Sequence, residues 1–379
     1  MCKKPKNPNP SHGGGREERG GGGGGEERKQ AIVEELSRKL REGDPLAKVE
    51  AARDIRKFAR ASAKARSAFA VPSVVDPLVS MLSSTHHLAK ESSLLALLNL
   101  AVRNQRNKEE IVKSGAIPPL IELLKIENSS LRELATASVL TLSASTSNRP
   151  TISASGAVPL LVQILISGSI QGRVDAVTAL YNLSACEETS QFSLSVEATR
   201  PLLHLLKDCK KFSKFAEKAT ALLEILSQSE EGKESILVTD GGILILVETI
   251  EEGSLLSAEY AVGILLSLCR SCRDKYRDII LREGPVPGLL LLTVDGSEKA
   301  QDKARYLLEL LRDDCQMKRA PSEDLETIAY NIAKKVDGPE KAQKTAKRLL
   351  HHMVRRNMEL NMRRIESRAG LVIGNASAT

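Results

Sequence analysis

Tryptophan is absent from the 379 residues, and tyrosine and phenylalanine contribute only five each. So few rings are a thin basis for the stacked platform on which proteins hold single-stranded nucleic acid, and for an aromatic cage around a cationic ligand. Cysteine is scarce too. The six residues are irregularly spaced, which excludes a disulfide framework and fits a reduced, intracellular compartment. No run of about 18 uncharged apolar residues occurs, and the first residues lack a signal-peptide core, so neither a membrane span nor a leader is expected. Strand-like alternation is missing as well. Gly20–Gly25 therefore reads as linker and not as a phosphate cradle after a strand.

Charge is present but unevenly placed. The formal total is +7. Residues 1–30 hold seven basic and four acidic side chains, and residues 341–370 hold nine basic and two acidic. The stretch 31–340 is therefore slightly acidic, and the positive charge sits at the two ends. Residues 1–30 are also glycine-rich and bury too little apolar surface to offset ordering, so they are expected to be a disordered tail. Residues 371–379 are expected to be disordered too.

The body repeats itself. Ser114-Gly115-Ala116-Ile117-Pro118 returns 41 residues later as Ser155-Gly156-Ala157-Val158-Pro159, and again after 41, degraded, at Val196–Pro201. Gly241-Gly242-Ile243 and Gly284-Pro285-Val286-Pro287 follow at 44 and 43. Each copy has the same logic. A short helix ends at a glycine able to take the left-handed conformation, and a proline sits in the first turn of the next helix. A Ser/Gly/Asn loop then leads into a longer amphipathic helix rich in alanine, as at Leu131–Ser143 and Arg173–Ser184. Three helices per roughly 42 residues predict an all-α fold, a right-handed α-solenoid in which only neighbouring repeats touch.

The Gly-Ala-Ile/Val-Pro-x-Leu start and the Ala-x-x-Leu-x-Asn-Leu end, as in Ala176–Ser184, resemble the armadillo repeat family over residues 45–312. The Asn-x-x-x-Ile-x-x-x-Gly-Ala pattern at Asn107–Ala116 and Asn148–Ala157 is most similar to the armadillo part of plant U-box proteins, which are ubiquitin ligases. About 30 residues precede the first expected helix, too few for that module. The expectation is an armadillo part without a U-box, hence a non-enzyme. The domain plan is a tail (1–30), about six or seven repeats (31–320), a basic helical extension (321–370) and a short end (371–379).

The resemblance places the third helix of each repeat along a concave groove, with a ladder position at the Asn of the Asn-Leu pair. Here that position reads Asn99, Thr141, Asn182, Glu224, Ser267 and Glu309. Relatives that clamp extended peptides carry Trp four residues earlier. This chain has Leu95, Ala137, Thr178, Thr220, Gly263 and Arg305 there, so the nuclear-import pattern is departed from. Seven residues before or four after the ladder lies the same helical face. It adds Asp175, Glu217, Tyr260 and Asp302, with Arg103 at the N-terminal end, and also Cys186 and Asp313. In the later repeats Asp175, Glu217, Glu224, Asp302, Glu309 and Asp313 stand against one base, Arg305. The C-terminal half of the groove is expected to be acidic and suited to a basic ligand. Lys90, Arg132 and Arg173 fall about 180° away and read as surface charge off the groove.

Metal and catalytic readings are weak. Cys269-x-x-Cys272 lacks two further ligands nearby, and the adjacent pairs His86-His87 and His351-His352 point apart on a helix. No catalytic residue, cofactor or metal is expected, nor a small-molecule substrate. The leading expectation is a cytoplasmic or nuclear scaffold for protein partners, with basic segments, kinases and ubiquitin-system proteins as candidates by resemblance. The alternatives are a ligase-related protein of U-box type and a nuclear factor acting through its tail, with direct nucleic-acid binding disfavoured. The tail, with Lys347, Arg348, Arg355, Arg356, Arg363 and Arg364 between apolar residues, keeps four readings: a cap on the last repeat, a nuclear or nucleic-acid patch, a peripheral contact with anionic membrane, and an occupant of the acidic groove.

Overall fold

The computed structural model describes residues 23–185 and 194–312 and, beyond them, 330, 334, 343–348, 351 and 355. All regular structure among them is helical. Two compact units are present, residues 1–100 and 101–379. In the first, α1 (Gly23–Glu42), α2 (Pro45–Ala61), α3 (Ala63–Phe69) and α4 (Pro72–Met81) lead into α5 (His87–Ala101). Helix α1 begins before the boundary expected at residue 31, in keeping with the strong helix formers Glu26 to Gln30.

The second unit is a stack of repeats. Helices α6 (Gln105–Lys113), α7 (Ile117–Lys125) and α8 (Ser129–Ser143) form one. Then come α9 (Arg149–Ala154), α10 (Ala157–Ser167) and α11 (Ile170–Ser184). In the degraded copy a 3-10 turn, Val196–Ala198, leads into α12 (Thr199–Asp208) and α13 (Lys214–Leu226). Two complete copies follow: α14 (Glu230–Val238), α15 (Gly242–Glu252) and α16 (Leu255–Ser271), then α17 (Arg273–Arg282), α18 (Val286–Asp295) and α19 (Glu298–Leu311). The long third helices α8, α11, α13, α16 and α19 each pack on the next, and each packs on the second helix of its own repeat.

The local chemistry follows the repeat. Gly115, Gly156, Gly241 and Gly284 have φ of 82°, 80°, 66° and 74°. No atom lies within 4 Å of a Cβ built at Gly115, Gly156 or Gly241, so backbone conformation, not space, requires glycine there. The Ser/Asn of each loop caps the following long helix. Asn128, Ser169, Ser213, Ser254 and Ser297 accept from the backbone N–H of Leu131, Gly172, Ala216, Ser257 and Ala300. Such a cap contributes about 1 kcal/mol.

One row of alanines sits where the long helices approach. Ala135, Ala176, Ala219, Ala261 and Ala304 are all at 0% exposure. Around them Leu180, Leu222, Leu265 and Leu307 are fully buried, each stabilising by about 2 kcal/mol relative to exposure. Among the described residues no single helix is long and apolar enough to cross a membrane.

Side chains tie one repeat to the next. Asn148, 3% exposed, donates through Nδ2 to the Lys108 carbonyl and to the Leu142 carbonyl, both at 3.1 Å. It thereby closes the C-terminal end of α8, and the Asn of the repeat motif acquires a structural role. Arg173, read off the groove, lies off it: its Nε donates at 2.9 Å to Leu165 O, capping α10. Buried Lys211 caps α12 in the same way, at 2.7 Å from Leu206 O. Arg273 and Arg277 hold the last carbonyls of α19, Leu310 O at 2.7 Å and Leu311 O at 3.1 Å.

Asn148→Ala leaves two buried carbonyls without this donor. It is expected to destabilise by about 1–3 kcal/mol, seen as a lower midpoint in thermal denaturation. Thr151→Ala, at an exposed neighbour, should leave the midpoint unchanged.

Candidate functional site

The ladder residues of the second unit, Thr141, Asn182, Glu224, Ser267 and Glu309, occupy successive third helices, α8, α11, α13, α16 and α19. Each of these helices packs on the next, and some of the ladder side chains reach across the junctions. Asn182 Nδ2 donates to Ser143 Oγ at 3.1 Å and reaches Leu140 O at 3.5 Å, so it stitches α11 to α8. Ser267 Oγ donates to Ser227 O at 2.8 Å and stitches α16 to the end of α13. Thr141 Oγ1 turns back to Ala137 O at 2.8 Å, and in the first unit Asn99 Nδ2 does the same to Leu95 O at 2.7 Å. These amides and hydroxyls serve the fold. Arg103, in the turn after α5, is exposed and takes a left-handed φ of 52°.

The acidic residues divide into occupied and exposed groups. Glu217, with 12% side-chain exposure, accepts from Lys214 at 2.9 Å and from the Ser254 hydroxyl at 2.7 Å. Burial pushes its pKa up, but the hydrogen bonds from Lys214 and Ser254 outweigh this and hold it below the usual value. The cap serine Ser254 is thus also an inter-repeat tie, as is Ser297, which donates at 2.6 Å to Glu259 Oε2. Asp175 is half-buried, and burial raises its pKa despite a hydrogen bond from Gln171. Asp302 and Glu309 are exposed, and Arg305 approaches Asp302 at 3.5 Å.

The centre of the seam is a cluster that the wheel did not assemble. Glu224 forms an ion pair with Lys303 of α19 at 2.8 Å. Tyr260 of α16 lies beside it. Burial raises the Tyr260 pKa, and neighbouring Tyr181, with which it hydrogen-bonds, and the carboxylates of Glu224 and Glu259 raise it further. The acidic surplus is smaller than the helical wheel gives. Lys303 stands six residues before Glu309, about 120° round the helix, yet its long stem carries the ammonium back onto the face. Tyr181, inside the quoted motif, was detectable only as an aromatic next to the ladder Asn.

Other candidates fall into place around this seam. Cys269 is buried, its thiol pushed up to about 11 by desolvation, so it is a poor nucleophile; Cys272 is exposed. Among the described residues no group of three or more His, Cys, Asp or Glu is placed to hold a metal. A cleft of about 670 Å³ in the first unit is lined by Arg41, Lys48, Asp76 and His86, none of them a ladder residue. Of the tail residues, Lys347, Arg348 and Arg355 are exposed. Arg356, Arg363 and Arg364, like Cys186 and Asp313, lie outside the described residues. Ala346 is buried and His351 Nδ1 lies 3.5 Å from Asp295 Oδ2, at the end of α18.

Left-handed glycines at helix junctions, three-helix repeats and a seam of long third helices define an armadillo-type repeat protein. The family model describing the plant U-box protein ARM repeat region matches residues 23–211 and 179–330. The chain belongs to this family. It is 32% identical over 244 residues to U-box domain-containing protein 45 of Arabidopsis thaliana, covering 64% of this chain and 31% of that protein. It is 30% identical over 289 residues to U-box domain-containing protein 17 of the same plant, covering 75% of this chain and 39% of that one. The chain thus spans about a third of the length of these relatives. Among solved structures, an engineered protein aligns with a TM-score of 0.56 at 22% identity, covering 83% of this chain and 76% of that one. That likeness concerns the fold.

One carboxylate away from the seam carries a pH consequence. Glu251 of α15 packs toward Gly288 of α18, where a built Cβ lies 2.8 Å from its Cγ. Burial, with Glu252 and Glu248 adding repulsion, raises its pKa to about 7, while Lys211 pairs with Glu248 at 3.5 Å. A carboxyl whose pKa rises from 4.5 to about 7 on folding holds its proton longer in the fold, so stability falls as pH climbs through that window. After discounting for solvent screening, Glu251→Gln is expected to gain about 1 kcal/mol at pH 8, or about 2–4 °C, and little near pH 4.5. Thermal melts at both pH values check this; equal shifts would contradict it.

Proposed function

We propose that the chain is a non-catalytic protein-interaction scaffold whose third-helix seam receives a cationic segment of a protein partner. The observation that carries this is the set of carboxylates on α13 and α19, Glu224, Asp302 and Glu309, of which the last two are exposed. A basic segment laid across the seam gains from their summed field more than from any single pair. The positive charge of the chain lies at its two ends and not in the repeats, so the local field of the seam is left in place for such a segment.

The family supports a place in ubiquitin-dependent signalling, since the relatives are named as U-box proteins. Kinases and ligases are candidate partners on that ground, with the scaffold acting in the cytoplasm or nucleus. The burial of Ala346 and the approach of His351 to Asp295 support the tail's role as a cap on the last repeat.

The test uses a fluorescent octapeptide of alternating Lys and Arg, with an acidic octapeptide as control. Fluorescence anisotropy at low salt should detect binding of the basic peptide alone. The exposed pair Asp302→Lys/Glu309→Lys should weaken it about tenfold or more at an unchanged thermal midpoint. Absence of binding, or binding indifferent to that charge reversal, rejects the seam as the site.

A further inference from the structure

Glu224 and Lys303 are 79 residues apart. Their helices, α13 and α19, both pack on α16, which runs between them. The ion pair closes across α16 through the space that glycine leaves at residue 263. A Cβ there would lie 2.1 Å from Glu224 Oε1 and 2.9 Å from Lys303 Nζ. The gap is the position where peptide-clamping relatives carry Trp.

The surroundings of the ammonium look like a binding seat. Lys303 Nζ donates to Glu224 at 2.8 Å and to the Glu259 carbonyl at 3.4 Å. Tyr260, hydrogen-bonded to Tyr181 and close to Glu224, stands on the same helix as Gly263. Tyr260, with Tyr181 hydrogen-bonded to it, thus stands beside a carboxylate that holds a cation across a whole repeat. Tyrosine rings and a carboxylate are the chemistry that receives lysine and arginine. The pair is not sealed: the side chains of Lys303 and Glu224 keep 28% and 25% of their exposure. Solvent reaches it, so exchanging one cation for another leaves no buried carboxylate bare, the costly step in breaking an interior pair.

We propose that Glu224, Tyr260 and Gly263 form a seat for a lysine or arginine side chain of the partner, and that Lys303 is its resident occupant, displaced on binding. The proposal rests on the groove reading above and sharpens it. Lys303 sets a threshold: a segment must supply a cation at this register to gain the seat, and segments without one compete against an intramolecular ammonium.

The same octapeptide and the full chain test it. Lys303→Met removes the ammonium and keeps most of the stem, and is expected to tighten the peptide about fivefold. Lys299→Met removes the same charge from an exposed position on α19 and should change affinity less than about twofold. Glu224→Gln should weaken binding about tenfold, and adding Lys303→Met to it should recover nothing, because the resident and the ligand share one acceptor. Lys303→Gln, read in the same way, substitutes if the methionine variant loses its thermal midpoint. If both Lys303 variants bind as the wild type does or more weakly, while Asp302→Lys/Glu309→Lys still abolishes binding, the groove stands and Lys303 is a structural clamp. If the charge-reversed pair binds unchanged, the groove reading itself has failed.

Discussion

Close approach of the long third helices is the constraint on which the rest of the second unit depends. Ala135, Ala176, Ala219, Ala261 and Ala304 leave no side-chain bulk between helices and are fully buried. A larger residue in that row would force the helices apart and cost about 1–3 kcal/mol in strain. On the same helices Asn182 reaches Ser143, Ser267 reaches the Ser227 carbonyl, and Lys303 reaches Glu224 across an intervening helix. Small residues in the packed row and polar ties in the seam thus serve the same helix–helix junctions.

The same seam serves two purposes that compete for its residues. Repeats that contact only their neighbours need ties at each junction, and this chain takes them from the groove face: cap serines Ser254 and Ser297 bind Glu217 and Glu259, and Asn182 binds α8. A carboxylate spent in this way adds little to a ligand's field. The carboxylates of this face that stay exposed are Asp302 and Glu309 of α19, toward the last repeat, while Glu224 is paired with Lys303.

Much of the fold was legible in the chain because its causes are local and repeated. A glycine every 41–44 residues announces a left-handed turn, and each such glycine among Gly115, Gly156, Gly241 and Gly284 has positive φ. A Ser or Asn ahead of an Ala-rich run announces a cap, and the caps are formed. The degraded copy near residue 198 lacks this glycine, and there a 3-10 turn, Val196–Ala198, leads into α12. At the ladder positions the Asn99 amide and the Thr141 hydroxyl turn back on their own helices, which the sequence pattern does not reveal.

The sequence alone determined the period, the helix junctions, the family resemblance and the sign of the charge along the body, since each depends on residues a few positions apart. The tertiary structure decided which charges are spent. A helical wheel gives the direction of a Cα–Cβ bond, and for short side chains such as Ser or Asp that suffices. It does not say where the end of a lysine lies, nor that a glycine 40 residues earlier has cleared its path. The empty Trp position at Gly263, an absence in the sequence, became in three dimensions the opening through which Glu224 and Lys303 meet.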